Sequence, residues 1–566
     1  MRKNIFLLML CCIAQFTVAQ QLPKWGDKAK KAVFSVVTYD ADNNILNTGN
    51  GFFVQENGIA LSDYALFKGA QSAIVIDTDG KKMPVDAILG ANDMYDVIKF
   101  RVKTDKKVPA LSIADGDPQE GEEVYLLPYS TQKDRSYTKG KINNFSTIDD
   151  NKYYYTLGLK LKDKMVSCPV TNTDGKVLGL VQKSISKDSA TVCHAVDARF
   201  AVEQSINPLS LTNLSLRNVG IKMGIPEDQD QALVFLYMAS SQMPADQYAV
   251  LLDDFIAQFP GSPDGYMRRA LNYVAMDATD ASIAKAQSDM DQALKIASKK
   301  DDIHYNLAKL IYSYQLSGEE TTYKDWSYDR ALSEVRTAIS LDPLPVYVQL
   351  EGDILFAMKD YEGAYACYEK VNASNLVSPA TFFSAAKAKE LQEADSEVVL
   401  ALMDSCIAHC VKPYSYESAP YLLERARVRM DAGKARYALQ DYDEYYTAVN
   451  GAVNDVFYYI REQAAFQAKQ FQRALDDIIK AIEMNPQEMA YRAELGLINL
   501  RVGRNDEALR VLGETIGLFP DFAEAYKLQG LTYLQMKKSA EACAAFSKAK
   551  ELGDSSVDEL IEKHCK

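Results

Sequence analysis

Histidine is scarce in this chain: 566 residues contain four, His194, His304, His409 and His564. None lies before residue 194, so no imidazole upstream of that point is available as a general base. An excess of positive charge is also missing. Lys and Arg number 63 against 77 Asp and Glu, a net charge of −14. Phosphate recognition needs clustered cations, so no nucleic-acid partner is expected. Beyond the N-terminus no apolar run is long enough to cross a bilayer, and no integral membrane segment is expected after leader cleavage. Seven cysteines follow the leader: Cys168, Cys193, Cys367, Cys406, Cys410, Cys543 and Cys565. An odd number leaves at least one free thiol or an intermolecular bridge. Cys406, His409 and Cys410 cluster, but no second group stands at zinc spacing, so packed thiols are expected, with no metal and no cofactor.

The N-terminus has a basic start, Met1-Arg-Lys-Asn, then the apolar run Ile5–Ile13, then small residues Thr17-Val-Ala19 before Gln20. This is the pattern of a cleaved secretory signal over 1–19. A lipoprotein signal would need a small residue before its cysteine; Leu10 precedes Cys11, and Cys11 precedes Cys12. The mature chain is expected in the periplasm of a Gram-negative bacterium.

A repeat organises the C-terminal half. Ala474, Ala508 and Ala542 stand 34 residues apart. Twelve positions earlier come Glu462 (a poor match), Gly496 and Gly530; four later come Ile478, Leu512 and Phe546; Pro486 and Pro520 close two units. That period is the signature of stacked helical hairpins. Small residues let the paired helices approach, and proline stops the second helix. The pattern resembles the tetratricopeptide repeat, most closely from Tyr526 through Gly530, Tyr533, Ala542 and Phe546 to Ala549. Weaker landmarks run back to Asp228, giving about nine hairpins over 228–555 and a polar cap over 556–566.

Residues 20–205 read differently. Short runs rich in β-branched and aromatic residues (32–38, 51–54, 73–76, 124–127, 153–156 and 177–181) are separated by turn signals such as Asp79-Gly80 and Asp174-Gly175. Such spacing predicts a β-barrel or sandwich. A run with Pro208, Pro226 and several Ser and Asn over 206–227 reads as a linker. Within the β-rich part, Gly49-Asn-Gly51-Phe-Phe-Val54, then Gly58-Ile-Ala-Leu-Ser-Asp63-Tyr-Ala65, then Asp96-Val-Ile-Lys-Phe100, then Pro169–Gly179 resemble, in order, segments of HtrA-type, trypsin-like serine proteases. The resemblance implies an all-β double barrel ahead of the all-α solenoid.

It also implies where a Ser-His-Asp triad would stand. The family histidine falls on Ala65, its aspartate on Asp96 and its serine on Val166, so catalysis by that triad is not expected. The hydrolase alternative rests on an unconventional nucleophile, Ser167 or Cys168; His194 is expected as a packing or surface residue, a displaced base being its other reading. The resemblance further implies a Cys168–Cys193 disulfide. A small all-β module unrelated to proteases is the third reading of this segment.

In the resembled repeats the first helix of each hairpin lines a concave surface. The corresponding positions here are Tyr305, Lys309, Tyr312, Gln349, Asp353, Phe356, Arg427, Tyr459, Gln463, Phe466 and Lys527. The Lys and Asn of the family's carboxylate clamp are absent from their places. Mixed aromatic and polar groups suit an extended peptide or a partner helix. The chain is therefore read as a non-enzymatic, exported scaffold that binds a protein or peptide, its protease-like domain adding a second surface.

Overall fold

The computed structural model describes residues 23–130, 137–183, 192–317, 323 and 325–565. The leader expected over 1–19 lies outside them. The chain forms two compact units, Met1–Ala297 and Ser298–Lys566.

The first unit contains two closed barrels of six strands. In one, β1 (Val33–Tyr39), β2 (Ile45–Phe53), β3 (Ile59–Ser62), β4 (Ser72–Ile76), β5 (Lys82–Asn92) and β6 (Val97–Val102) run in the order β1-β2-β3-β6-β5-β4, with β4 closing on β1. In the other, β7 (Glu123–Leu126), β8 (Thr138–Asp149), β9 (Lys152–Leu157), β10 (Pro169–Thr171), β11 (Val177–Val181) and β12 (Cys193–Asp197) run β10-β11-β12-β9-β8-β7, with β7 closing on β10. Closure removes the free edges that an open sheet must protect. Inside the first barrel Phe34 packs on Phe53 at 4.6 Å and Phe67 on Phe100 at 4.8 Å. After β12, Asp197 caps the helix Ala198–Glu203 by accepting from Arg199 N–H at 2.8 Å. Its carboxylate is buried against the Arg199 guanidinium, also at 2.8 Å.

The stretch read as a linker is strapped to the first barrel. Gly220 N–H donates to Ala70 O (2.7 Å), Ile88 N–H to Lys222 O (2.9 Å) and Gly224 N–H to Ile88 O (2.8 Å). Leu211, Leu216, Val219, Ile221 and Ile225 are buried in one core with the barrel's Phe67 and Ile88 and with Phe235, Leu252 and Phe255 of the first helix pair. Its prolines and polar residues signal turns correctly, but its spaced apolar residues supply the burial that fixes it in place.

Nineteen helices follow from Gln229 onward among the described residues, nine successive pairs and a short last one, Asp558–His564. The first two pairs belong to the first unit. The small-residue slots are filled to contact: a Cβ added at Gly530 would meet Phe546 at 2.5 Å, and one at Gly496 would meet Leu512 at 2.6 Å. An ionic staple also recurs. Arg269, Arg425 and Arg461, each one residue before the small position, pair with buried Asp289, Asp441 and Asp477 on the second helix of their own hairpin, at 2.8, 2.6 and 2.6 Å. Each also reaches Asp253, Asp404 or Asp443 on the preceding helix. One guanidinium thus joins two hairpins, with burial on one side and a fork of donors to satisfy both carboxylates.

The disulfide expectation is corrected. Cys168 and Cys193 are both free and buried, and the disulfide joins Cys543 to Cys565. The reason lies in strand order. Cys168 accepts from Val181 of β11, and β11 then pairs with β12, which carries Cys193. One whole strand stands between the two, so their backbones are separated by roughly 9–10 Å, beyond the ~7 Å that a disulfide spans. Desolvation pushes both thiols up to about 12, leaving them inert.

Candidate functional site

Three segments converge between the barrels. The short helix Tyr64–Phe67 follows β3, Asp96 ends the turn from β5 into β6, and the loop after the 3-10 turn Asp163–Met165 leads into β10. Ala65 N–H donates to Asp96 Oδ1 at 2.7 Å. Ala65 and Asp96, the positions to which the resemblance assigns a histidine and an aspartate, are therefore neighbours, and the Ala65 methyl group is exposed. Asn50 of β2 ties the first barrel to the loop, its Nδ2 donating to Val166 O at 2.8 Å and Lys164 O at 3.1 Å.

Behind Ala65 lies a second carboxyl, Asp63, which the sequence reading did not single out. Asp63 is 3 % exposed and its Oδ1 has no partner among the described residues. Burial first, then the charge of Asp96, hold it well above the usual carboxylate range; the Ser167 hydroxyl opposes this. Asp96 is raised too, by burial, against the pull of the Ala65 N–H. Ser167 is 1 % exposed, sits in the left-handed region at φ +64°, and its Oγ has no hydrogen-bond partner within bonding geometry. Polar atoms this buried and unpaired are uncommon. The only signal for Asp63 in the sequence was its place two residues before Ala65.

A cleft of about 830 Å³ opens beside Asp96, lined by Tyr95 from the first barrel and by Thr147, Tyr154, Gln182 and His194 from the second. His194, the first unit's single histidine, stacks on Tyr154 (5.6 Å between rings, 17° between planes) and lies 3.4 Å from Thr156 Oγ1. Its ring is thus held by the cleft wall. The loop's donors turn inward: Met165, Ser167 and Cys168 N–H go to the carbonyls of Lys162, Val181 and Met165. Donors so committed are not aimed at an oxyanion in the cleft. Chemically the site presents two carboxyls biased toward the neutral form, a sealed hydroxyl, a sealed thiol and a wide polar-aromatic cleft. Among the described residues no group of three or more His, Cys, Asp or Glu is placed to hold a metal ion.

On the helical repeats, the residues read as partner-facing are mostly engaged with neighbours. Tyr305 packs on Tyr347 at 4.8 Å, Tyr459 on Tyr491 at 5.0 Å, Phe356 on Tyr361 at 5.4 Å, Phe466 on Phe471 at 5.6 Å and Tyr312 on Tyr328 at 6.3 Å. Asp353 accepts from Tyr368 Oη at 2.9 Å. Arg427 pairs with Glu390, Glu424 and Asp431, and Lys527 with Glu524 and Asp554. Gln349 is half-buried and Lys309 is exposed. No helix among the described residues is long and apolar enough to cross a membrane.

Comparison with known proteins agrees with this geometry. The trypsin-like peptidase domain family matches residues 49–180, and the tetratricopeptide repeat family matches 463–509 and 494–557. A TPR repeat-containing protein of Methanocaldococcus jannaschii is 24% identical over 227 residues, 38% of this chain and 38% of that protein. A probable periplasmic serine endoprotease, DegP-like, of Halomonas elongata is 26% identical over 136 residues, 23% of this chain and 28% of that protein. The chain thus spans well under half the length of either relative.

Proposed function

We propose that this chain, a trypsin-like peptidase domain followed by tetratricopeptide repeats, works as an exported, non-catalytic scaffold. Its repeats hold a protein or peptide, and the cleft between the barrels serves as a second binding surface. The observation that carries the reading is the pairing of Ala65 with Asp96, with Val166 tied to the first barrel through Asn50 and the adjacent Ser167 hydroxyl sealed from solvent. A nucleophile must reach a carbonyl carbon and pass its proton to a base; here neither an accessible nucleophile nor a base stands at these positions. Loss of both leaves only the weak residual catalysis that binding supplies. The Cys543–Cys565 disulfide suits an oxidising compartment, in keeping with an exported chain of the periplasm.

One observation favours a hydrolase as the second reading: Ser167 occupies a left-handed backbone position beside the Asp63 carboxyl, and such strain gathers at reactive sites. The test of the scaffold reading is affinity purification of the tagged full chain from its own cell envelope, with cross-linking and mass spectrometry. A partner cross-linked to the helical repeats, through the exposed Lys309 among others, is the expected result. Recovery of the chain alone, or of cleaved proteins only, contradicts it.

A further inference from the structure

Two cavities flank one ridge of the repeats, and their charges differ. The ridge is the start of the helix Ala435–Ala448, where Lys434 and Tyr437 line both cavities. In the first, of about 320 Å³, the charges satisfy one another: Lys434 pairs with Glu397 at 2.6 Å and Arg429 with Asp404 at 3.0 Å. The second, of about 410 Å³, reaches across to the turn that ends the helix Asp455–Gln467 of the next hairpin. Its polar lining is Lys434, Arg436, Gln467 and Lys469, with Tyr437 beside them and no carboxylate. Arg436 and Lys469 are exposed, and their side chains have no ion pair or hydrogen bond among the described residues. Tyr437 is 57 % exposed, with the Arg429 guanidinium 5.8 Å from its ring centre. Like charges gathered in one place repel, and an anion among them removes that cost. Such an uncompensated cluster stands out in a chain whose net charge is −14.

We propose that this second cavity takes the carboxylates of an acidic segment of a partner polypeptide. Arg436 offers a planar fork of donors to one carboxylate, Lys469 a point charge from the neighbouring hairpin, and Lys434 adds to the field of both. The exposed Tyr437 ring gives the apolar part of the segment a surface to lie on. The inference rests on the reading of the repeats as holding a protein or peptide. It moves the contact from the first helices, whose side chains are mostly engaged with neighbours, to the turns of two successive hairpins.

The test is fluorescence anisotropy of labelled pentaglutamate amide with the purified full chain at low ionic strength. Saturable binding is expected even though the chain's overall charge repels the peptide. Arg436→Gln and Lys469→Gln should each weaken it about threefold, and the two together about tenfold. Lys299→Gln, an exposed lysine away from the cavity, should leave it unchanged. Absence of binding, or equal weakening by all three single variants, overturns the inference. Binding at least about tenfold tighter by the same peptide with phosphoserine in place of glutamate overturns the assignment to carboxylates. Failure to capture a partner from the envelope while pentaglutamate binds as expected counts against the scaffold reading and leaves the cavity's chemistry standing.

Discussion

Buried carboxyls set the behaviour of this chain residue by residue. Burial, reinforced by Glu494, pushes Glu462 up to about 8 from an ordinary 4.5. Between those values the folded state keeps a proton that the unfolded chain has lost. The group's contribution is therefore fully present below about pH 4.5 and is lost as pH rises toward 8. Glu462→Gln removes that dependence: urea denaturation at pH 8 should show a gain on the order of a few kcal/mol, shrinking to little at pH 4.5. Equal effects at both pH values would contradict the assignment. The candidate site was partly legible at this scale. Ala65, Asp96 and Val166 lie on local motifs of fixed spacing, and the structure makes Ala65 and Asp96 neighbours. Asp63 was hidden because its role depends on burial against Ser167, about a hundred residues away in sequence. Glu462 was visible only as a mismatch in the repeat, with no sign that the mismatch is buried.

At the scale of helices and strands, apolar and small residues were readable and polar ones were not. The 34-residue period located the close helix contacts because Gly530 and Phe546 meet in only one way. The same chemical change should then have opposite signs at two glycines. Gly530→Ala drives a methyl group into Phe546 and should cost roughly 1–3 kcal/mol. Gly513→Ala, in the helix Asn505–Leu518 with nothing within 4 Å, should stabilise by roughly 0.5–1 kcal/mol. Thermal melts of the two variants check this; shifts of the same sign would contradict it. By contrast β8 (Thr-Lys-Gly-Lys-Ile-Asn-Asn-Phe-Ser-Thr-Ile-Asp) is almost wholly polar, with Ile142 its one buried residue. Its strand state comes from pairing with β7 and β9, which no local pattern records. The arginine staple was present in the sequence as Arg and Asp sixteen residues apart in two units, but only the fold shows that each arginine also grips the preceding hairpin.

For the molecule as a whole, the two units are held together in different ways. In the second, stability is shared between neighbouring hairpins, and its last helix is fastened by Cys543–Cys565 across 22 residues. Closing a loop of that length contributes about 3 kcal/mol. Reduction should therefore speed hydrogen exchange in Asp558–His564 and in the helix Ser539–Glu551 while leaving the helices before Ala523 unchanged; loss of protection throughout the unit would contradict this. In the first unit the barrels were legible in outline, since double closure follows from many short strands and the order of motifs. The Cys168–Cys193 expectation failed because strand order decides which thiols meet.

The central claim is that the protease-like domain presents no reacting group to a substrate. Intact-mass analysis of the purified chain after treatment with a fluorophosphonate tests it most directly. An unchanged mass is the expected result. A stoichiometric adduct that disappears in Ser167→Ala would contradict the account.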